Sequence, residues 1–273
     1  MRHKPDAFDR WLSDDTLAIF RRTPLALGEQ NWPDKPVAAN GPDPRPWYGL
    51  PWRERLVGYR VMFSRLRDAR RLGAKWSDFR DTLTGAPLAY WLPGVGAVTD
   101  ASLGFAYYAA RLQSLLRPPK SVVEIGAGFG GLSEVLLRRW PIDRYIIVDL
   151  PEGLVMAEAY LRGCGHAPRV LINGDEPVPE RGVVLMGPWC LGSVAADLAI
   201  NTMSFHHMTH EAVEFYLKRL AGVRALYSVN RLKAFDPTDV PADEYPIPPS
   251  LTLTWRSDRL YYGAEERLYQ RSC

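Results

Sequence analysis

SVVEIGAGFGG, residues 121–131, describes a buried strand that runs straight into a turn made almost wholly of glycine. Val122, Val123 and Ile125 form a short β-branched run, and Leu132, Val135, Leu136 and Trp140 recur beyond it at helical spacing, so the order is strand, loop, helix. Gly126, Gly128, Gly130 and Gly131 let the main chain take positive φ and leave no Cβ between it and a ligand. The unpaired N–H groups at the start of the helix face the same crevice. Such a turn is expected to hold a nucleotide-like cofactor.

Two cofactors compete for it. Gly126, Gly128 and Gly131 satisfy the G-x-G-x-x-G spacing of dinucleotide sites, and Asp149 stands near the distance expected of a ribose-binding acid. Glu124, inside the strand and ahead of the first glycine, points instead to S-adenosylmethionine. An acid there balances a cationic amino acid and sulfonium, directly or through water, and opposes a pyrophosphate. Residues 1–120 also precede the motif, whereas dinucleotide folds usually open on it.

Outward from the motif, strands and helices alternate: strand 121–126, helix 131–140, strand 144–149, helix 152–163, strand 168–172, an extended segment 182–187, strand 197–201, helix 209–221 and strand 223–229. Alternation predicts an α/β fold with a mostly parallel sheet. Residues 251–256 and 266–271 read as two strands with no helix between them, an antiparallel pair at the sheet edge. Residues 1–120 look mainly helical, broken at 32–52 by Pro, Gly and Asn. A helix there carries Leu56, Tyr59, Phe63 and Leu66 on its apolar face and arginines elsewhere, and another over 102–116 is ended by Pro118-Pro119. The connection 235–250, rich in Pro and Asp, reads equally as a lid or as a solvated loop.

With 273 residues, 47% hydrophobic and 24% charged, the chain can bury a full core, either as one elaborated domain or as a catalytic domain with an N-terminal extension. A formal charge of +3 spread along the chain leaves no electrostatic footprint for nucleic acid. Cys164, Cys190 and Cys273 form no C-x-x-C pair and cannot all pair within one chain, which fits a reducing cytoplasm. Met1 to Asp15 is too charged for a signal peptide, and the apolar stretch at 183–200 is interrupted by Gly187, Pro188, Gly192 and Asp197, so no membrane span is expected.

Asp149 ends the second strand, where a carboxylate accepts both ribose hydroxyls; its bland alternative is a helix cap. Asp175 is the candidate for the adenine amino group, although Asn173-Gly174-Asp175 also reads as a turn. Asn201-Thr-Met-Ser-Phe-His-His-Met208 follows the fourth strand at the carboxyl edge of the sheet, where open α/β folds bind ligands. It lacks the Asp-Pro-Pro-Tyr type of motif of enzymes that methylate base nitrogens. A hydroxyl acceptor loses a proton as it is methylated, and His207 and His206 are the candidate bases. His210, behind a Thr209 cap, reads as surface. Adjacent histidines alone make an incomplete metal site, and a magnesium site assembled from distant residues stays open. The candidate cofactor contacts are Glu124, Gly126, Ala127, Gly128, Asp149, Leu150, Asp175 and Asn201, and the candidate acceptor contacts are Ser204, Tyr59, Arg60, Tyr108 and Tyr262.

The chain resembles bacterial sugar O-methyltransferases of the class I S-adenosylmethionine-dependent group over roughly residues 107–231. The resemblance rests on VEIGAGFGG at 123–131, YIIVDLPE at 145–152, DLAINTMSFHHM at 197–208 and YSVNR at 227–231. It implies a Rossmann-like sheet with an antiparallel C-terminal edge, an N-terminal helical extension over 1–100 as substrate-side cover, and a cofactor-binding domain over 101–273. By position it makes Glu124, Gly126, Gly128 and Asp149 cofactor residues, and Asn201 and Ser204 the active-site edge. Such proteins commonly have glutamate where this chain has His207, and histidine can do the same work. The implied acceptor is the sugar of a glycoside, oligosaccharide or polysaccharide precursor, with a mannoside among the options and a homodimer compatible with it. An NAD-dependent oxidoreductase and a non-catalytic cofactor-binding subunit remain the alternatives.

Overall fold

The computed structural model describes residues 63–85, 87, 89–233, 240–257 and 264–271. They form two compact units, one of the described residues up to Leu116 with Glu134–Arg139, the other of Arg117–Ser133 with the described residues from Trp140 onward. No helix of the described residues is long and apolar enough to cross a membrane.

In the first unit, Ala69, Ala74, Phe79, Val98, Leu103, Ala106 and Ala110 share one core. Around it lie helical residues 63–71, a hairpin of β1 (Tyr90–Leu92) and β2 (Gly96–Val98), and α1 (Asp100–Leu115). Thr99 starts α1 with a reciprocal cap: its Oγ1 accepts from the Ser102 N–H at 3.0 Å and the Ser102 Oγ accepts from the Thr99 N–H at 2.9 Å. The hairpin is an addition to the helices read for this region, whose residues 1–62 lie outside the described ones. Its three-residue strands are too short to show an alternating pattern, and Gly94, at positive φ, lies in the turn 93–95 that joins them.

The second unit is built on one sheet whose central strands are apolar on both faces, as parallel strands must be. Its strands are β3 (Ser121–Ile125), β4 (Arg144–Val148), β5 (Arg169–Leu171), β6 (Gly182–Met186), β7 (Leu198–Thr202), β8 (Ala225–Arg231), β9 (Leu251–Ser257) and β10 (Ala264–Arg271), in the order β5-β6-β4-β3-β7-β8-β10-β9. The strands from β3 to β8 run parallel, and β10 and β9 complete the sheet antiparallel, as expected. Helix α2 (Gly131–Arg139) follows β3, α3 (Pro151–Gly163) follows β4 with proline in its first turn, and α4 (His210–Arg219) follows β7. The Thr209 hydroxyl caps α4 by accepting from the Ala212 N–H, which leaves His210 exposed in the first turn. Sequence order climbs from β3 to β4 on one side and resumes at β7 on the other, so the topological switch lies between β3 and β7.

Two further details depart from the sequence reading. The segment read as merely extended, 182–187, is the strand β6, and it pairs with β4; the strand read as third, β5, is only three residues long and sits outside it. From Val240 onward, the connection read as lid or solvated loop is anchored in the core through Val240, Ala242 and Tyr245. Arg267 of β10 donates to the Ala242 carbonyl at 2.9 Å and pairs with Asp243.

Candidate functional site at the carboxyl edge of the sheet

The site grows from a steric fact. Gly126 leaves β3 at φ +70°, and a Cβ there would stand 2.1 Å from Ser204 Oγ and 2.5 Å from Ser204 Cβ. Only a residue without a side chain allows the loop after β7 to lie on the end of β3. That loop is directed by Met203, which takes φ 56° although it is not glycine, while its N–H donates to the Val229 carbonyl at 2.7 Å. Left-handed strain at the carboxyl edge of the sheet is a feature that sequence reasoning missed, and nothing in the composition of 201–208 signals it.

Polar side chains hold the same corner. The Asn201 amide, fully buried, donates to the Ile125 carbonyl at 3.0 Å and to Ser204 Oγ, and Ser204 Oγ itself donates to the Ile125 carbonyl at 3.2 Å. Asn201 Oδ1 accepts from the Phe205 N–H at 3.2 Å and from Asn230 Nδ2 at 2.8 Å. Asn230, also fully buried, brings its Oδ1 to 3.0 Å from His206 Nδ1. His206 is 1% exposed, whereas His207 is exposed, and their rings lie 4.0 Å apart. Asn230 was not among the expected site residues; its signal is the recurrence of polar residues, Ser228 and Asn230, on one face of the buried strand β8.

On the other side of the switch, Asp149 accepts from the Gly128 N–H at 2.8 Å through one oxygen and from the Leu150 N–H at 2.7 Å through the other. A carboxylate offers about four lone-pair sites, so acceptor capacity remains for hydroxyl donors. A Cβ on Gly153, in the first turn of α3, would stand 2.6 to 2.9 Å from the Asp149 carboxyl atoms, so this glycine keeps room for the acid. Burial pushes the Asp149 carboxyl up to about 6 against the pull of its two main-chain donors.

Glu124 is 1% exposed and accepts from Ser133 Oγ at 2.6 Å and from the Tyr145 hydroxyl at 2.5 Å. Burial, assisted by the nearby Asp149 charge and opposed by the two hydroxyls, raises its carboxyl to about 7. Both contacts are internal, and they place Glu124 beneath the glycine turn. Ser133 and Tyr145 were not anticipated, since a lone serine in a helix and a tyrosine in a strand read as packing.

Asp175 is exposed in the turn after the edge strand β5, where Glu176 rather than Asp175 accepts the Ile172 and Asn173 N–H groups. The strand beside β4 is β6, and it leads into Gly187-Pro188-Trp189. The Trp189 indole donates to the Ile172 carbonyl at 2.8 Å and lies over Gly187, where a Cβ would fall 2.4 Å from the ring. Trp189 at 48%, Leu150 at 51% and Ile172 at 63% exposure make an apolar ledge along the carboxyl ends of β4, β6 and β5. Tyr108 lies in α1 of the first unit; Tyr59, Arg60 and Tyr262 lie outside the described residues. Among the described residues no three His, Cys, Asp or Glu side chains are grouped to hold a metal ion.

No protein family model matches the chain. No curated protein matches it either. Among solved structures it is similar to mitomycin 7-O-methyltransferase, at 15% identity and a TM-score of 0.41 over 62% of this chain and 57% of that one. It is similar to an O-methyltransferase family 2 protein from Planctomyces limnophilus solved with apigenin, at 16% identity and a TM-score of 0.43 over 62% and 58%. It is also similar to the methyltransferase domain of bacterial CtHen1, at 13% and 0.44 over 62% and 97%. The chain thus spans less than two thirds of the first two.

Gly126→Ala should destabilise the protein by about 1–3 kcal/mol through its backbone conformation, with a further loss from the clash on Ser204. Urea unfolding measures the loss, and a Gly126→Ala protein as stable as the parent would contradict the packing. Glu124 predicts a pH dependence. Its folded value of about 7 exceeds the ordinary 4.5, so its contribution to stability is complete below 4.5 and is lost as pH rises to about 7. Relative to the parent, Glu124→Gln should therefore gain stability across that window and level off above it, and a pH-independent difference in urea unfolding would contradict the assignment.

Proposed function

We propose that the chain is an S-adenosylmethionine-dependent O-methyltransferase acting on a sugar hydroxyl. The observation that carries the cofactor reading is the Asp149 carboxylate, held by the Gly128 and Leu150 N–H groups, given room by Gly153, and left with acceptor capacity toward the glycine turn. The fit extends along the edge: Asp149 takes the ribose hydroxyls, Leu150, Ile172 and Trp189 offer the base an apolar surface, and the bare main chain at Gly126–Gly128 admits the amino-acid end. Two carboxyls held above their ordinary range, Glu124 and Asp149, make the corner favourable to a cation.

Bound there, S-adenosylmethionine supplies a methyl group activated by its positive sulfur. The chain's own part is to orient the acceptor oxygen and receive its proton. The His206–His207 pair stands beside Ser204 at the switch point, and proton removal by a positioned histidine contributes on the order of 10²- to 10⁴-fold. The sugar acceptor is supported by the sequence motifs at 145–152, 197–208 and 227–231 and by the abundance of tyrosine and tryptophan.

S-adenosylhomocysteine at about a hundred times its dissociation constant should stabilise the protein by about 2.7 kcal/mol, while NAD should not move the melting temperature. Asp149→Ala should weaken the nucleoside by on the order of 1–3 kcal/mol, read by calorimetry. Stabilisation by NAD alone would select the oxidoreductase reading. Methyl incorporation into a panel of glycans then tests the acceptor class.

A further inference from the structure

We infer that Asn230, itself held by Asn201, is a positioning residue that fixes His206 in the tautomer carrying its proton on Nδ1, which makes Nε2 the basic nitrogen of His206. The inference follows a chain of hydrogen bonds whose direction is forced at each link. A carbonyl oxygen can only accept, so the Asn201 atom 3.0 Å from the Ile125 carbonyl is the amide nitrogen. A main-chain N–H can only donate, so the Asn201 atom receiving the Phe205 N–H at 3.2 Å is the oxygen. That oxygen also faces Asn230 at 2.8 Å, so the Asn230 atom there is its amide nitrogen, which donates onward to Ser228 Oγ at 2.9 Å. The remaining Asn230 atom is Oδ1, and the His206 N–H donates to it at 3.4 Å. An oxygen that can only accept therefore stands 3.0 Å from His206 Nδ1, and Nδ1 must carry hydrogen.

Burial makes this fixation firm. Asn201 and Asn230 are fully buried and His206 is 1% exposed, so turning either amide would set two acceptors or two donors face to face without water to relieve them. The order originates at the end of β3, in a carbonyl whose direction the strand fixes, and ends on a ring at the carboxyl edge of β7 and β8. Nε2 of His206 is buried as well, so the tautomer is set within the folded edge. His207, exposed and with its ring centroid 4.0 Å from that of His206, is the member of the pair that an acceptor hydroxyl can reach; only that last step rests on the methyl-transfer reading.

Long-range proton–nitrogen correlation spectra of the full ¹⁵N-labelled chain test the inference, recorded at about pH 8, above the ordinary histidine range, with the His206 signals identified by their loss in His206→Gln. The expected spectrum shows a protonated Nδ1 and an unprotonated Nε2; the reverse pattern overturns the proposal. Asn230→Ala should release the ring into a mixture of tautomers, and an unchanged His206 spectrum in a variant whose near-ultraviolet circular dichroism is native would overturn Asn230's part. Should that variant not fold, the parent spectrum still decides. The expected tautomer in a chain that does not bind S-adenosylhomocysteine would uphold Asn230's role while removing the methyl-transfer reading, so the two fail separately.

Discussion

The approach of the β7 loop to the end of β3 is the constraint on which the site depends. A parallel sheet offers ligands only the carboxyl ends of its strands, and the gap between β3 and β7 is where their connections part. For that gap to be shaped by protein, one chain must come close to the other where both leave the sheet. Gly126 permits the approach, Met203 turns the chain toward it at a strained φ, and Asn201 ties it to the Ile125 carbonyl. A side chain at 126 or a lost amide at 201 would separate the two, and with them the glycine turn and the histidines.

Two carboxyls, Glu124 buried beneath the turn and Asp149 half-buried beside it, set its electrostatics. Glu124 and Asp149 each sit above the ordinary carboxylate range because burial disfavours their charge; the Asp149 charge adds to the shift of Glu124, and the Glu152 charge to that of Asp149. Main-chain donors on Asp149 and hydroxyl donors on Glu124 limit that cost without removing it. A positively charged ligand would lower it for both. The same arrangement would disfavour a pyrophosphate, while Glu124's own hydrogen bonds run inward, to Ser133 and Tyr145.

Much of the second unit was legible because its strands are short, apolar and punctuated by glycine or proline. The strand at 121–125, the proline-started helix at 151 and the Thr209 cap all follow from local chemistry. What escaped was lateral order. Whether β5 or β6 lies beside β4 is a matter of pairing that no single segment encodes, and the strand that does lie beside β4 leads to Trp189 rather than to Asp175. The hairpin at 90–98 escaped for want of length. Among site residues, Gly126 and Asn201 were visible from their motifs, but Ser133, Tyr145 and Asn230 were not, since each acts on a partner distant in sequence.

Strand alternation explains why these partners divide as they do. Val123 and Ile125 point into the core shared with Val213, Tyr216 and Leu217 of α4, so Glu124, between them, points to the opposite face, where it meets Tyr145 and Ser133. Asn201 stands in register with Ile125, and Ser228 with Asn201, which puts Asn201, Ser228 and Asn230 on the α4 face. The end of β3 is thus gripped by polar groups on both sides of the sheet, an acid with two hydroxyls on one and an asparagine ladder leading to His206 on the other. Because the sheet separates them, the Glu124 cluster on one face and the tautomer of His206 on the other are set by different residues, joined only through the end of β3.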